Sequence, residues 1–107
     1  MKIKICCITN KQDAINASSL GVDMLGFVFY KKSKRYVEPR VERDIVSALA
    51  PSVAKVGVFV DEDKSKVLDI AEDCELDMLQ FHGDEDPGYC GSFMSSYKII
   101  KAFRVKD

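Results

Sequence analysis

The feature that most constrains this chain is a series of short apolar runs that recur about every two dozen residues, with amphipathic stretches between them. Met24-Leu25-Gly26-Phe27-Val28-Phe29-Tyr30 and Val56-Gly57-Val58-Phe59-Val60 are continuously apolar. Such runs suit strands buried on both faces, as in a parallel sheet. Ile3 and Ile5 alternate with lysines and run into Cys6-Cys7-Ile8 as a first strand. Asp77–His82 reads as a fourth strand and Ile99–Phe103 as a fifth.

The intervening stretches read as helices. Thr9-Asn10 supplies cap oxygens, Asp13 follows at capping-box spacing, and the helix stops at Gly21. Pro39 fits a first helical position and is followed by a stripe of Val41, Ile45, Ala48 and Leu49, closed by Pro51. Asp61 is the expected cap of a helix carrying Val67, Ile70, Ala71 and Cys74. Asp84 is the expected cap of a weaker helix with Tyr89, Phe93 and Met94, where Gly88 and Gly91 lower the propensity. The order βαβαβαβαβ implies right-handed crossovers and a parallel sheet in one α/β domain over residues 1–107.

Composition narrows the function classes. Sixteen Lys and Arg against seventeen Asp and Glu give a formal charge of −1. That balance argues against a nucleic-acid binder, which needs a basic excess for phosphate contacts. The apolar runs fall far short of the ~20 residues that span a bilayer, so no membrane role is expected. The opening Met1–Cys6 is too short and too alternating for a signal peptide. The four cysteines, Cys6, Cys7, Cys74 and Cys90, match neither zinc-site spacing nor a disulfide framework. Reduced thiols and a cytoplasmic location follow as expectations. Cys74 and Cys90 fall on helical apolar stripes and read as small core residues.

In parallel α/β folds chemistry gathers at the C-terminal ends of the strands. There the sequence places Cys6 and Cys7, the basic stretch Lys31–Tyr36, Val60-Asp61, then Gln80, His82 and Gly83, and finally Arg104. Cys6 precedes a helix N-terminus, whose dipole favours a thiolate; it reads equally as an ordinary buried strand residue. Arg35 offers planar recognition of a carboxylate, against the plain alternative of a solvated loop. His82 is the single imidazole and by default a structural or surface histidine.

The residues also carry a resemblance. Lys4-Ile5-Cys6-Cys7-Ile8-Thr9 closely resembles the K-I-C-G-I-T opening of the phosphoribosylanthranilate isomerase family of tryptophan biosynthesis. The likeness continues in order through Gly26–Tyr30, Ser33–Val37, Val56–Val60, Gln80–Glu85 and Ile99–Phe103. It implies the N-terminal half of a (β/α)8 TIM barrel. The implied activity is the Amadori rearrangement of N-(5′-phosphoribosyl)anthranilate to 1-(2-carboxyphenylamino)-1-deoxyribulose 5-phosphate, with no cofactor and no metal. By the same resemblance Cys6 is the general base at C2′, Arg35 pairs with the anthranilate carboxylate, and Gln80 and His82 line the pocket.

Two departures accompany it. Cys7 stands where the family has glycine, adding volume and removing backbone freedom beside the base. The family's acid, after strand six, and its phosphate loops, after strands seven and eight, have no counterpart in these residues. Eight units need ~200 residues, so five strands alone leave two open edges, a route to self-association. The architectural alternative is an open five-stranded flavodoxin-like sheet with helices on both faces. The functional alternative is a non-catalytic half-barrel that binds or assembles. A receiver-type phosphoacceptor would need an acidic pair where Cys6-Cys7 stands.

Overall fold

The computed structural model describes residues 2–101. Among them β1 (Lys4–Ile5), α1 (Lys11–Ser19), β2 (Met24–Val28), α2 (Pro39–Val46), β3 (Ala54–Phe59), α3 (Lys64–Asp73), β4 (Met78–Phe81), α4 (Pro87–Gly91) and β5 (Lys98–Lys101) alternate as the sequence pattern predicts. All neighbouring strands pair in parallel, in the order β1-β2-β3-β4-β5.

That order decides between the two architectures. A flavodoxin-like sheet reverses direction and places its second strand at the edge, whereas a barrel adds each strand beside the last. Burial agrees. Leu25, Phe27, Phe29, Phe59, Leu79 and Phe81 occupy one face of the sheet and form a single core with residues from all four helices, including Ala14, Ile45, Val67 and Cys90. The alternate positions Gly26, Val28, Val56, Val58 and Gln80 are buried outside that core, on the opposite face. The helices therefore pack on one side, and the expected alternative with helices on both sides is excluded. The sheet also curls. Strands lie about 4.8 Å apart, so β1 and β4 would be about 14 Å apart if flat, yet the Lys4 ammonium bonds the Gln80 amide oxygen directly.

One device recurs at the N-terminal pole. Asp23, ahead of β2, accepts the Ile3 amide at 2.7 Å, and Asp77, ahead of β4, accepts the Lys55 amide at 2.8 Å. The surrounding hexapeptides, Val22-Asp23-Met24-Leu25-Gly26-Phe27 and Leu76-Asp77-Met78-Leu79-Gln80-Phe81, are near-copies. The position equivalent to Gly26, which makes room in one unit, is Gln80, which reaches across in the other.

Several local expectations are corrected. β1 is shorter than the predicted run because Cys7 turns left-handed at φ 70°; pairing resumes where the Ile8 amide donates to the Gly26 carbonyl at 3.0 Å. Asn10 does cap α1, accepting the Asp13 amide at 2.8 Å, and Gly21 does take the left-handed position at φ 80°. α2 ends at Val46, before Pro51, leaving Ala48 exposed, and Glu42 takes a buried place on its inner face. Asp63 and Asp86 precede α3 and α4 in place of Asp61 and Asp84. Asp61 instead joins the two loops, its Oδ1 accepting the Asp84 amide at 2.7 Å. α4 is a single short turn, Phe93 is buried beyond it, and Met94 is exposed. Cys74 and Cys90 are core residues as expected. The predicted Ala102-Phe103 extension of β5 and Arg104 lie outside the described residues.

Candidate active site at the strand ends

Two clusters form at the C-terminal ends of the strands. The first is built by β1 and the loop after β2. Cys6 follows β1 and lies over Gly26 of β2, where a Cβ would stand only 3.0 Å from the Cys6 sulfur. Gly26 is thus the residue that lets Cys6 occupy the concave face. Cys7 Sγ donates to Cys6 Sγ at 3.2 Å, and Arg35 Nη1 lies 3.9 Å from Cys7 Sγ. The Arg35 loop is held by the Arg35 amide on Ser33 Oγ at 3.1 Å and by the Val37 amide on the Val28 carbonyl at 3.0 Å. An exposed guanidinium from the basic loop is thereby carried to the cysteine pair.

The second cluster is a polar chain across the concave face. The Lys4 ammonium bonds the Gln80 side-chain oxygen, and the Gln80 side-chain nitrogen meets His82 Nε2. Lys4 was not among the residues singled out from sequence. Its signal was available, since Lys4 and Cys6 are two apart on one strand and share a face. Alternation with Ile3 and Ile5 instead made Lys4 look like an ordinary solvated lysine.

Behind His82 the loops are locked together. The Glu85 carboxylate accepts the Asp61 amide at 2.8 Å and the Gly83 amide at 2.9 Å. A Cβ on Gly83 would stand 2.5 Å from Asp61 Oδ1, so the Asp61 carboxylate occupies space that only glycine leaves open. Tyr89 adds a bond from its hydroxyl to the Glu62 carbonyl at 2.6 Å. Much of the Gln80–Glu85 motif thus builds the loop that holds Gln80 and His82.

The electrostatics of Cys6 run against the expected thiolate. Its thiol is pushed up to about 11, chiefly by burial, then by the hydrogen bond and charge of Cys7; the Lys4 ammonium pulls the other way. Burial outweighs that ammonium here.

No grouping of three or more metal-ligating side chains occurs among the described residues, and no described helix is long and apolar enough to cross a membrane. A cavity of about 700 Å³, lined by Met24, Ala54, Met78 and Tyr97 among others, opens at the opposite pole, away from these clusters.

Comparison with known proteins decides the lineage. Residues 3–107 match the N-(5′phosphoribosyl)anthranilate (PRA) isomerase family. The chain belongs to that family. A PRA isomerase from a Geobacter species is 46% identical over 105 residues, covering 98% of this chain and 50% of the relative. One from Nitrosomonas eutropha is 47% identical over 107 residues, 100% of this chain and 50% of the relative. The crystal structure of a PRA isomerase in complex with reduced 1-(o-carboxyphenylamino)-1-deoxyribulose 5-phosphate superposes with a TM-score of 0.95 at 43% identity, covering all of this chain and 55% of that one. The Thermus thermophilus enzyme gives 0.95 at 40% identity, 99% and 53%. The chain spans about half the length of the relatives it matches, and its sheet is the corresponding part of a TIM barrel.

Proposed function

We propose that these residues form the base-and-carboxylate side of a PRA isomerase site in tryptophan biosynthesis, working in the cytoplasm on a small phosphorylated substrate. The observation that carries this reading is the convergence of Cys6, Arg35, Gln80 and His82 at one end of a sheet whose sequence and path follow PRA isomerases. Cys6 takes the role of general base, removing the C2′ proton from the ring-opened Schiff base. The ammonium of Lys4 favours the thiolate that this step needs. Arg35 holds the anthranilate carboxylate, for which a planar guanidinium on an exposed loop is suited. Gln80 and His82 present polar edges to the substrate, Gln80 being fixed by Lys4.

The raised Cys6 thiol favours a second reading, a half-barrel that binds or assembles without turnover. In that case association runs through the outer edges of β1 and β5, the terminal strands of the described sheet.

The test is titration of the isotope-labelled chain with the reduced aminoketose phosphate found in the relative's crystal structure, followed by amide chemical shifts. The expected perturbations centre on Cys6, Cys7, Arg35 and His82. Shifts confined to the opposite pole, around Met24 and Met78, would overturn the assignment.

A further inference from the structure

The vicinal thiols Cys6 and Cys7 are not joined as a disulfide, and are half-buried and in contact, 3.2 Å apart. Three features of the fold hold them so. Cys7 sits at φ 70°, which turns its side chain back toward Cys6 instead of to the opposite face of a strand. Gly26 leaves the space that Cys6 fills from below. The Arg35 guanidinium flanks Cys7 on the outer side. Two sulfurs so placed form a preset chelate.

A tetrahedral zinc site asks for four ligands, whereas two sulfurs and one further substituent satisfy a pyramidal three-coordinate centre, in which a lone pair takes the fourth position. The soft members of that class are trivalent arsenic and antimony, and thiol ligands select soft centres. Zinc is further disfavoured because no third side-chain ligand is grouped with the pair among the described residues. A trivalent metalloid needs none, since it brings its own third substituent.

We infer that Cys6 and Cys7 form a dithiol site for trivalent arsenicals or antimonials. Capture is a condensation. Each S–H proton leaves on an oxygen from the metalloid, two metalloid–sulfur bonds form, and the oxidation state is unchanged. With phenylarsine oxide the arsenic–oxygen double bond is replaced by two arsenic–sulfur bonds, and one water carries off the oxygen and both protons. No free thiolate accumulates, so thiols that resist ionisation can still react. The site depends on Cys7 and stands whether or not Cys6 serves as the base.

The probe is phenylarsine oxide added to the reduced chain, read by intact mass, by counting remaining thiols and by competition with a small dithiol. The expected result is one phenylarsenic per chain, two of four thiols lost, and the adduct mapped to the peptide holding Cys6 and Cys7. Cys7→Gly, which places glycine at a left-handed position and keeps the fold, is expected to weaken capture about 100-fold or more by losing the chelate. Cys6→Ser is expected to do the same, and Cys74→Ala to leave capture unchanged. A peptide of residues 1–12, lacking Gly26 and Arg35, is expected to bind about tenfold more weakly than the folded chain. Full affinity in Cys7→Gly, an adduct bridging Cys74 or Cys90, or equal affinity in the peptide would each overturn the inference.

Discussion

Glu42 offers the sharpest quantitative test of the packing. It lies on the inner face of α2 with none of its surface exposed, and among the described residues neither carboxylate oxygen has a hydrogen-bond partner. Burial drives its acidity to about 7 from an ordinary 4.5; the Cys74 thiol, Lys55 and Arg43 pull the other way without offsetting it. The folded state therefore binds this proton more tightly than the unfolded state does. Below pH 4.5 both states are protonated and the site carries no penalty. Between pH 4.5 and about 7 the unfolded chain is ionised while the folded one is not, so stability falls as pH rises. Above about 7 both are ionised and the loss is constant. At 1.36 kcal/mol per unit, a rise from 4.5 to about 7 corresponds to roughly 3 kcal/mol. Glu42→Gln removes the titration while keeping the shape. Urea denaturation at pH 5 and pH 8 is expected to show the variant gaining about 2.5 kcal/mol on the parent between those pH values, part of the loss being already present at pH 5. An unchanged difference between the two proteins at both pH values would refute the reasoning.

Other expectations follow from named contacts. Gly83→Ala drives a methyl to 2.5 Å from Asp61 Oδ1, and overpacking of this kind costs about 1–3 kcal/mol; a thermal melt equal to the parent's would contradict it. Asn10→Ala removes the α1 cap bond to the Asp13 amide and is expected to cost about 1 kcal/mol, with urea midpoints as the check. Cys7→Gly relieves a left-handed non-glycine residue and is expected to leave stability equal or raise it by about 1 kcal/mol. The same change removes both contributions by which Cys7 raises Cys6, so alkylation of Cys6 is expected to titrate at lower pH in the variant. A midpoint unmoved or raised would count against the Cys6–Cys7 contact.

The fold was legible because its strands are buried on both faces. Continuous runs such as Met24–Tyr30 admit few other readings, and the order of elements implied parallel pairing. What the pattern could not supply was which face each residue serves. Lys4 looked like half of an alternating surface pair, but in a curled sheet its side of β1 faces the concave interior. Glu42 was hidden for the converse reason, since a helical stripe read by hydrophobicity omits a carboxylate whose ionisation burial opposes. Asp61 carries good capping chemistry, but its carboxylate accepts the Asp84 amide of the next loop, a long-range bond that local rules do not register. Arg35, Gln80 and His82 were placed by resemblance, and their meeting at one end of the sheet follows from parallel strands alone. The direction of the Cys6 shift is set by burial and then by the neighbouring Cys7 thiol, neither of which the position of Cys6 before a helix N-terminus registers.

The most direct test of the proposed role joins residues 1–107 to the second half of the Geobacter relative's barrel and follows conversion of phosphoribosylanthranilate. The account predicts turnover by the joined protein, none by the 107-residue polypeptide alone, and a loss of about 10²–10⁴ in kcat for Cys6→Ser in the joined protein, with KM little changed. A joined Cys6→Ser protein that keeps its kcat would contradict the assignment of Cys6 as the base.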